Sequence, residues 1–237
     1  MNGKLSTGSE CIDNLLGGGY EKGIITTFFG ESGSGKSNVC ILAALTAARQ
    51  AKKVAYIDTE GGFSVERATQ LFPRDYKQLM ENIIFFNPTS FEEQSKVFDQ
   101  VKETVSEGRF GLIIVDSIVM LYRLKLGMKE DIPEVNRELA RQLRVLSEIA
   151  RKKDLPVIVT NQVYSDFGKE NDVRMVGGDL LKYWSKAVVK LAKDEVPVCR
   201  ASIYKHRSQP AGREIYFEIR NSGIFNSEKP KKKFKLF

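Results

Sequence analysis

Residues 30–37 read Gly30-Glu31-Ser32-Gly33-Ser34-Gly35-Lys36-Ser37, with Asn38 next. Gly30, Gly35, Lys36 and Ser37 fit the pattern G-x-x-x-x-G-K-[ST] of a phosphate-binding loop. The glycines permit a tight wrap, so the backbone N–H groups of 30–38 point inward at phosphate oxygens. Lys36 supplies a point charge for the β- and γ-phosphates, and Ser37 a hydroxyl for Mg²⁺. A helix starting here, through Val39, Leu42 and Ala43, adds the positive end of its dipole. The loop follows an apolar run ending in Phe28-Phe29, where the mechanism needs a strand. Binding of a nucleotide, ATP with Mg²⁺, is the first expectation.

Further along, Leu112-Ile113-Ile114-Val115-Asp116 is an apolar run ending in a carboxylate, as a Walker B strand does. Asp116 would hold the Mg²⁺ shell through water. Two more strand-like runs, 54–58 and 83–87, separate the two motifs, which favours ATPases that activate water over nucleotide kinases. The activating acid is then sought at a strand end, and Glu60, just past the run 54–58, is the candidate base.

The rest of the chain fits that frame. Short, Ile/Val/Phe-rich runs at 23–29, 54–58, 83–87, 112–116 and 156–161 predict strands buried on both faces. Ser90 and Glu93 form a capping box for a helix to Glu107, stopped by Gly108. Val135, Leu139, Leu143, Leu146 and Ala150 form the stripe of a helix after Pro133. This alternation predicts an α/β fold, a mostly parallel sheet flanked by helices. Beyond residue 185 the runs 186–191, 198–205 and 214–220 predict an antiparallel strand extension. Residues 1–227 read as one domain and 228–237 as a basic tail.

Composition agrees. With 42% hydrophobic residues among 237, disorder is excluded as the dominant state. Cys11, Cys40 and Cys199 lie too far apart for a zinc ribbon or a disulfide framework and read as buried thiols. With neither a signal peptide nor a membrane-length apolar run, a soluble cytoplasmic protein is expected. The net charge of +7 is concentrated late: Arg200, Lys205, Arg207 and Arg213 lie in 200–213 without an acid, and 228–237 holds five lysines against Glu228. Such a basic C-terminal excess marks an interaction surface, with Lys231, Lys232 and Lys233 as candidate DNA contacts.

Taken together, STGSECIDNLLGGG, GESGSGKSN, YIDTEGGFSVER, IIVDSIVMLYR and VTNQV occur in the order and spacing of the RecA-type recombinase core. The chain resembles archaeal RadA and, more closely, its short paralogue group, RadB. That resemblance implies a RecA-type P-loop ATPase core in which Glu60 is the catalytic glutamate, Arg67 stacks on adenine, and Gln162 senses the γ-phosphate. It implies a first DNA loop from Arg123 and the stretch Lys125–Asp131, including Lys129, and a second over 164–176. Phe167, Lys169 and Arg174 there would combine base stacking with phosphate contact. Neither an N-terminal helical DNA-binding domain nor a Phe-x-x-Ala segment precedes the core, the second loop is short, and Tyr183 stands where recombinases carry histidine. These departures point away from filament formation and strand exchange. The resemblance implies an accessory role in DNA repair and homologous recombination, with feeble ATP turnover. The implied partners are single-stranded or branched DNA, the RadA recombinase, a Holliday-junction resolvase, and further copies of the chain as a homodimer or larger oligomer. A KaiC-like or helicase-like motor stays open as an alternative, as does a small-molecule P-loop kinase. Lys205 and Arg207 resemble the finger pair of such motors, pointing one way along a strand toward a neighbour's triphosphate. His206, between them, reads as a surface residue.

Overall fold

Apolar runs become strands at the centre of the molecule: β1 (Ile25–Gly30), β2 (Lys53–Asp58), β3 (Ile83–Phe86), β4 (Phe110–Asp116) and β5 (Val157–Tyr164). The structure is a computed structural model that describes residues 3–127, 132–164 and 174–230. Alternate residues of these strands feed two separate cores. Phe28, Val54, Tyr56, Leu112, Ile114 and Ile158 face one side, and Ile25, Ala55, Ile57, Ile113, Val115 and Val159 the other. Each such side chain, almost fully buried, contributes on the order of 1–3 kcal/mol of apolar transfer. Burial on both faces explains why the runs are continuously apolar.

The first core is covered by α1 (Glu10–Leu15), α2 (Lys36–Arg49), α3 (Val65–Leu71) and α4 (Tyr76–Met80). The second is covered by α5 (Phe91–Glu107), α6 (Met120–Gly127), α7 (Ile132–Lys153) and α8 (Gly178–Trp184). Ser90 caps α5 by accepting from the Glu93 N–H at 3.1 Å. The returning Glu93 carboxylate takes the N–H of Thr89 at 2.8 Å, one residue before the cap. The α7 stripe is buried throughout.

A short β6 (Arg174–Met175) pairs with the end of β5, and β7 (Ser185–Lys193), β8 (Val198–His206), β9 (Glu214–Arg220) and β10 (Gly223–Ser227) extend the sheet. The order is β10-β9-β8-β7-β1-β5-β4-β2-β3. One expectation is corrected here. The run 186–191 is not part of the antiparallel extension toward its inner neighbour: β7 runs parallel to β1, and the antiparallel pairing begins between β7 and β8. The helix α8 carries the chain back across the sheet, as a parallel connection requires. All three cysteines are buried and free. Among the described residues no helix is long and apolar enough to cross a membrane.

Candidate functional site

Parallel strands bring their C-terminal ends to one edge, and the chemistry-bearing residues gather there. Gly30 lies opposite Gln162 across β1 and β5, and Asp58 opposite Asp116 across β2 and β4. Strand β5 lies between β1 and β4, separating the loop strand from the Asp116 strand. The loop follows β1 directly. A side chain at Gly30 would put its Cβ 2.1 Å from the Leu191 carbonyl oxygen, so only glycine fits. Gly35 opens α2 with φ of 99°, a conformation that glycine adopts without strain.

Ser34, Gly35 and Lys36 are buried, Ser37 and Asn38 half-buried, and Glu31, Ser32 and Gly33 exposed. The Lys36 ammonium donates to the carbonyls of Gly30 and Glu31, both at 2.9 Å. Burial holds its pKa below the ordinary lysine value, with Asp116 and Glu60 pulling the other way. Asp116 is 3% exposed and accepts from Thr160 Oγ1 at 2.5 Å and Tyr56 OH at 3.3 Å. Burial raises its pKa, while hydrogen bonds from Thr160 and Ser37 oppose the rise. A Cβ on Gly62 would lie 3.4 Å from Ser37 Oγ and 3.8 Å from Asp116 Oδ2, so these three residues share one corner. A hydroxyl and a carboxylate are hard oxygen donors that suit Mg²⁺, which takes one or two protein ligands besides phosphate and water. No cluster of three or more His, Cys, Asp or Glu among the described residues could hold a metal by itself.

Glu60 sits at the same edge. Its backbone N–H and those of Gly62 and Phe63 all donate to the Asp58 carboxylate, at 3.2, 3.0 and 3.0 Å. Its own carboxylate accepts from Ser117 Oγ at 2.8 Å and from Gln162 Nε2 at 2.9 Å. The expected base and the expected sensor are thus in direct contact. Arg67, on α3, donates to the carbonyls of Arg220 at 2.9 Å and Asn221 at 3.1 Å. That ties α3 to the β9–β10 turn, where Ile219 packs against the loop at Gly35.

The Rad51 family model matches residues 3–227. The chain belongs to the Rad51 family. It is 42% identical over 228 residues to the DNA repair and recombination protein RadB of Methanobrevibacter smithii, covering 94% of this chain and 96% of that one. Against the RadB protein of Methanococcoides burtonii it is 41% identical, over 91% of this chain and 96% of the other. A solved structure, described as the crystal structure of the RadB recombinase, superposes with a TM-score of 0.80 at 39% identity, over 94% of this chain and all of that one.

Several expectations for this Rad51-family core change in the structure. Arg123 and Lys125 belong to α6, so the helix runs through positions expected to open the first DNA loop. Lys125 there forms an ion pair with Glu92 of α5. Arg174 pairs through its backbone with Tyr164, and Asn161 Nδ2 donates 2.8 Å to the Val176 carbonyl, so the described ends of the segment expected as the second DNA loop lie side by side. Lys129, Phe167, Lys169 and the tail residues Lys231, Lys232 and Lys233 lie outside the described residues.

Lys205 and Arg207 do not turn to one target. Lys205 donates to the carbonyls of Lys182 and Ser185, where it caps the end of α8. Arg207 pairs with Glu21. Between them, His206 is no surface residue: its side chain is 1% exposed and lies 4.0 Å from the same carboxylate. A buried acid on a distant part of the chain captures the basic strand end, which periodicity along β8 cannot reveal. The sequence reading also passes over Ser117, Thr160, Tyr56 and Asp58, because single polar residues at strand ends carry no motif. Lys193, ending β7, was missed as well; a Cβ on Gly33 would stand 2.8 Å from its ammonium.

Proposed function

We propose that this chain is an ATP- and DNA-binding accessory protein of DNA repair and homologous recombination, with slow ATP turnover and no strand exchange of its own. One hydrogen bond carries the proposal: Gln162 Nε2 to Glu60. It joins the carboxylate that would receive a proton from water to β5, which ends at Tyr164, where the expected second DNA loop, 164–176, begins. A nucleotide site and a DNA site linked through one contact can inform each other.

In this reading Lys36 exchanges its two loop carbonyls for the β- and γ-phosphate oxygens. Arg67, held flat by the β9–β10 turn, stacks on adenine. Ser37 would bind Mg²⁺ directly and Asp116 through water, and the bound ion supplies neutralisation of phosphate charge. Glu60 orients the attacking water and takes its proton. Separation of β1 from β4 by β5 supports water as the acceptor rather than a small-molecule kinase reaction. Arg123, Lys125, Lys129, Phe167, Lys169, Arg174 and the lysines at 231–233 would contact single-stranded or branched DNA, with strongly salt-dependent affinity. The RadA recombinase, a Holliday-junction resolvase and a second copy of the chain are the protein partners proposed.

Nucleotide affinity and turnover of the parent, Lys36→Ala and Glu60→Gln test this. Lys36→Ala is expected to weaken ATP binding at least tenfold. Glu60→Gln should bind ATP within about twofold of the parent yet lose roughly 100-fold in turnover. Equal affinity in Lys36→Ala would remove the phosphate-loop assignment. Rapid hydrolysis by the parent, strongly stimulated by single-stranded DNA, would favour a motor over an accessory protein.

A further inference from the structure

The Glu60 carboxylate is held by two donors of different character. Ser117 is 1% exposed and its Oγ donates 2.8 Å to Glu60 Oε1. Its peptide is pinned on both sides. The Ser117 N–H donates 3.0 Å to Thr59 Oγ1, and that hydroxyl donates back 2.8 Å to the Ser117 carbonyl. The Thr59 N–H in turn donates 2.9 Å to the Asp116 carbonyl. Ser117 is therefore a fixed post where the ends of β2 and β4 are stitched together. Gln162, the other donor, stands on the strand leading into the second loop.

The backbone at Glu60 is constrained as well, since the N–H groups of Glu60, Gly62 and Phe63 all donate to the Asp58 carboxylate. With the main chain held and Oε1 tethered, the orientations open to the carboxylate are restricted. Only the partner of Oε2 remains free to change. We propose that Ser117 is the positioning residue for the water-activating step, keeping Oε2 aimed when Gln162 gives up its hydrogen bond. This inference rests on Glu60 being the base, as proposed above. In that step the water oxygen bonds to the γ-phosphorus and the bond to the β–γ bridging oxygen breaks. The water proton passes to Glu60 Oε2, leaving ADP and inorganic phosphate. A base swinging freely about its side-chain bonds would meet the water in the right geometry only part of the time.

The full-length chain tests this in two ways. Ser117→Ala should lower kcat about tenfold while KM for ATP stays within twofold, because only the transition state is affected. Ser117→Cys keeps the side-chain shape, with a slightly larger atom, and offers only a weak donor, so kcat should fall with it although the fold is intact. In a Glu60→Gln background Ser117→Ala should cost nothing further. Independently of activity, unfolding of the nucleotide-free Ser117→Ala, Glu60→Ala and double variants should show a coupling of about three- to tenfold in the equilibrium constant. Equal slowing by Ser117→Ala with and without the Glu60 carboxylate, or no coupling in unfolding, would overturn the proposal. If Glu60→Gln is slow and Ser117→Ala matches the parent, the base stands and the role of Ser117 falls. Full turnover by Glu60→Gln would instead remove the base, and this inference with it.

Discussion

Asp116 shows how a single residue is kept in a state that suits a ligand better than the bare fold. Its carboxylate is buried, and burial raises its pKa. A carboxyl whose folded pKa lies above its unfolded value stabilises the fold below the unfolded value, and that contribution is lost as pH rises through the folded one. At neutral pH, well above the unfolded value, the raised pKa is therefore a burden on the nucleotide-free protein. Asp116→Asn should raise stability near pH 7.5 by on the order of 1 kcal/mol, or roughly 2–4 °C in Tm. The gain should vanish as pH falls below about 4, where the carboxyl is protonated in both states. Mg²⁺-dependent ATP binding should weaken in the same variant. Denaturant titrations at both pH values decide it. Lower stability of the variant at neutral pH would mean that the bonds from Thr160, Tyr56 and Ser37 outweigh the cost of burial.

At the scale of elements, legibility followed periodicity. The central strands and the long helices α5 and α7 repeat their apolar residues over enough positions to be read. Strand β10, Gly-Ile-Phe-Asn-Ser, has one inward apolar residue, Ile224, and was invisible; β6 exists only through pairing with β5. The motif residues of the site were equally legible, whereas its second layer depends on which strands become neighbours. Even within α7 the stripe reading skips Gln142, which is fully buried on the apolar face. Its partner is Gln94 of α5, also fully buried, which donates 2.6 Å to Gln142 Oε1 and 3.3 Å to the Ile118 carbonyl. Gln142 Nε2 donates 3.1 Å to Ser95 Oγ. Gln142→Leu strands part of this network in an apolar seam and should cost about 1–3 kcal/mol. Replacing both glutamines by leucine should cost clearly less than the two single changes added together, because no donor is then left unpaired. Urea unfolding of the three variants measures this, and strict additivity would show that the two amides do not act as a pair.

Across the whole molecule, the end of the sheet opposite the nucleotide site is fastened by one buried acid. Glu21 is 7% exposed and accepts from Arg207 and, at 3.0 Å, from Ser208 Oγ, with Lys4 at 3.5 Å. Residues near the N-terminus and at the end of β8 are thereby joined across 186 positions of sequence. Burial pushes the carboxyl pKa up, but Ser208, Arg207 and Lys4 together bring it below the ordinary glutamate value. A depressed folded pKa gives stability that is present above the unfolded value and lost as pH falls through the folded one. Glu21→Gln should therefore be destabilised at neutral pH by about 1–2 kcal/mol, and the difference from the parent should close in acid. Arg207 is half exposed, so solvent screens its share, and Arg207→Ala should cost about 1 kcal/mol or less. The same variant separates a clasp from a finger that reaches a neighbour's triphosphate. A clasp predicts a lower Tm, unchanged ATP affinity, and turnover per subunit that does not depend on protein concentration in parent or variant. Should the parent instead hydrolyse ATP faster as subunits associate, and Arg207→Ala abolish that gain at unaltered Tm, then Arg207 leaves Glu21 in the assembly and the clasp is not its role.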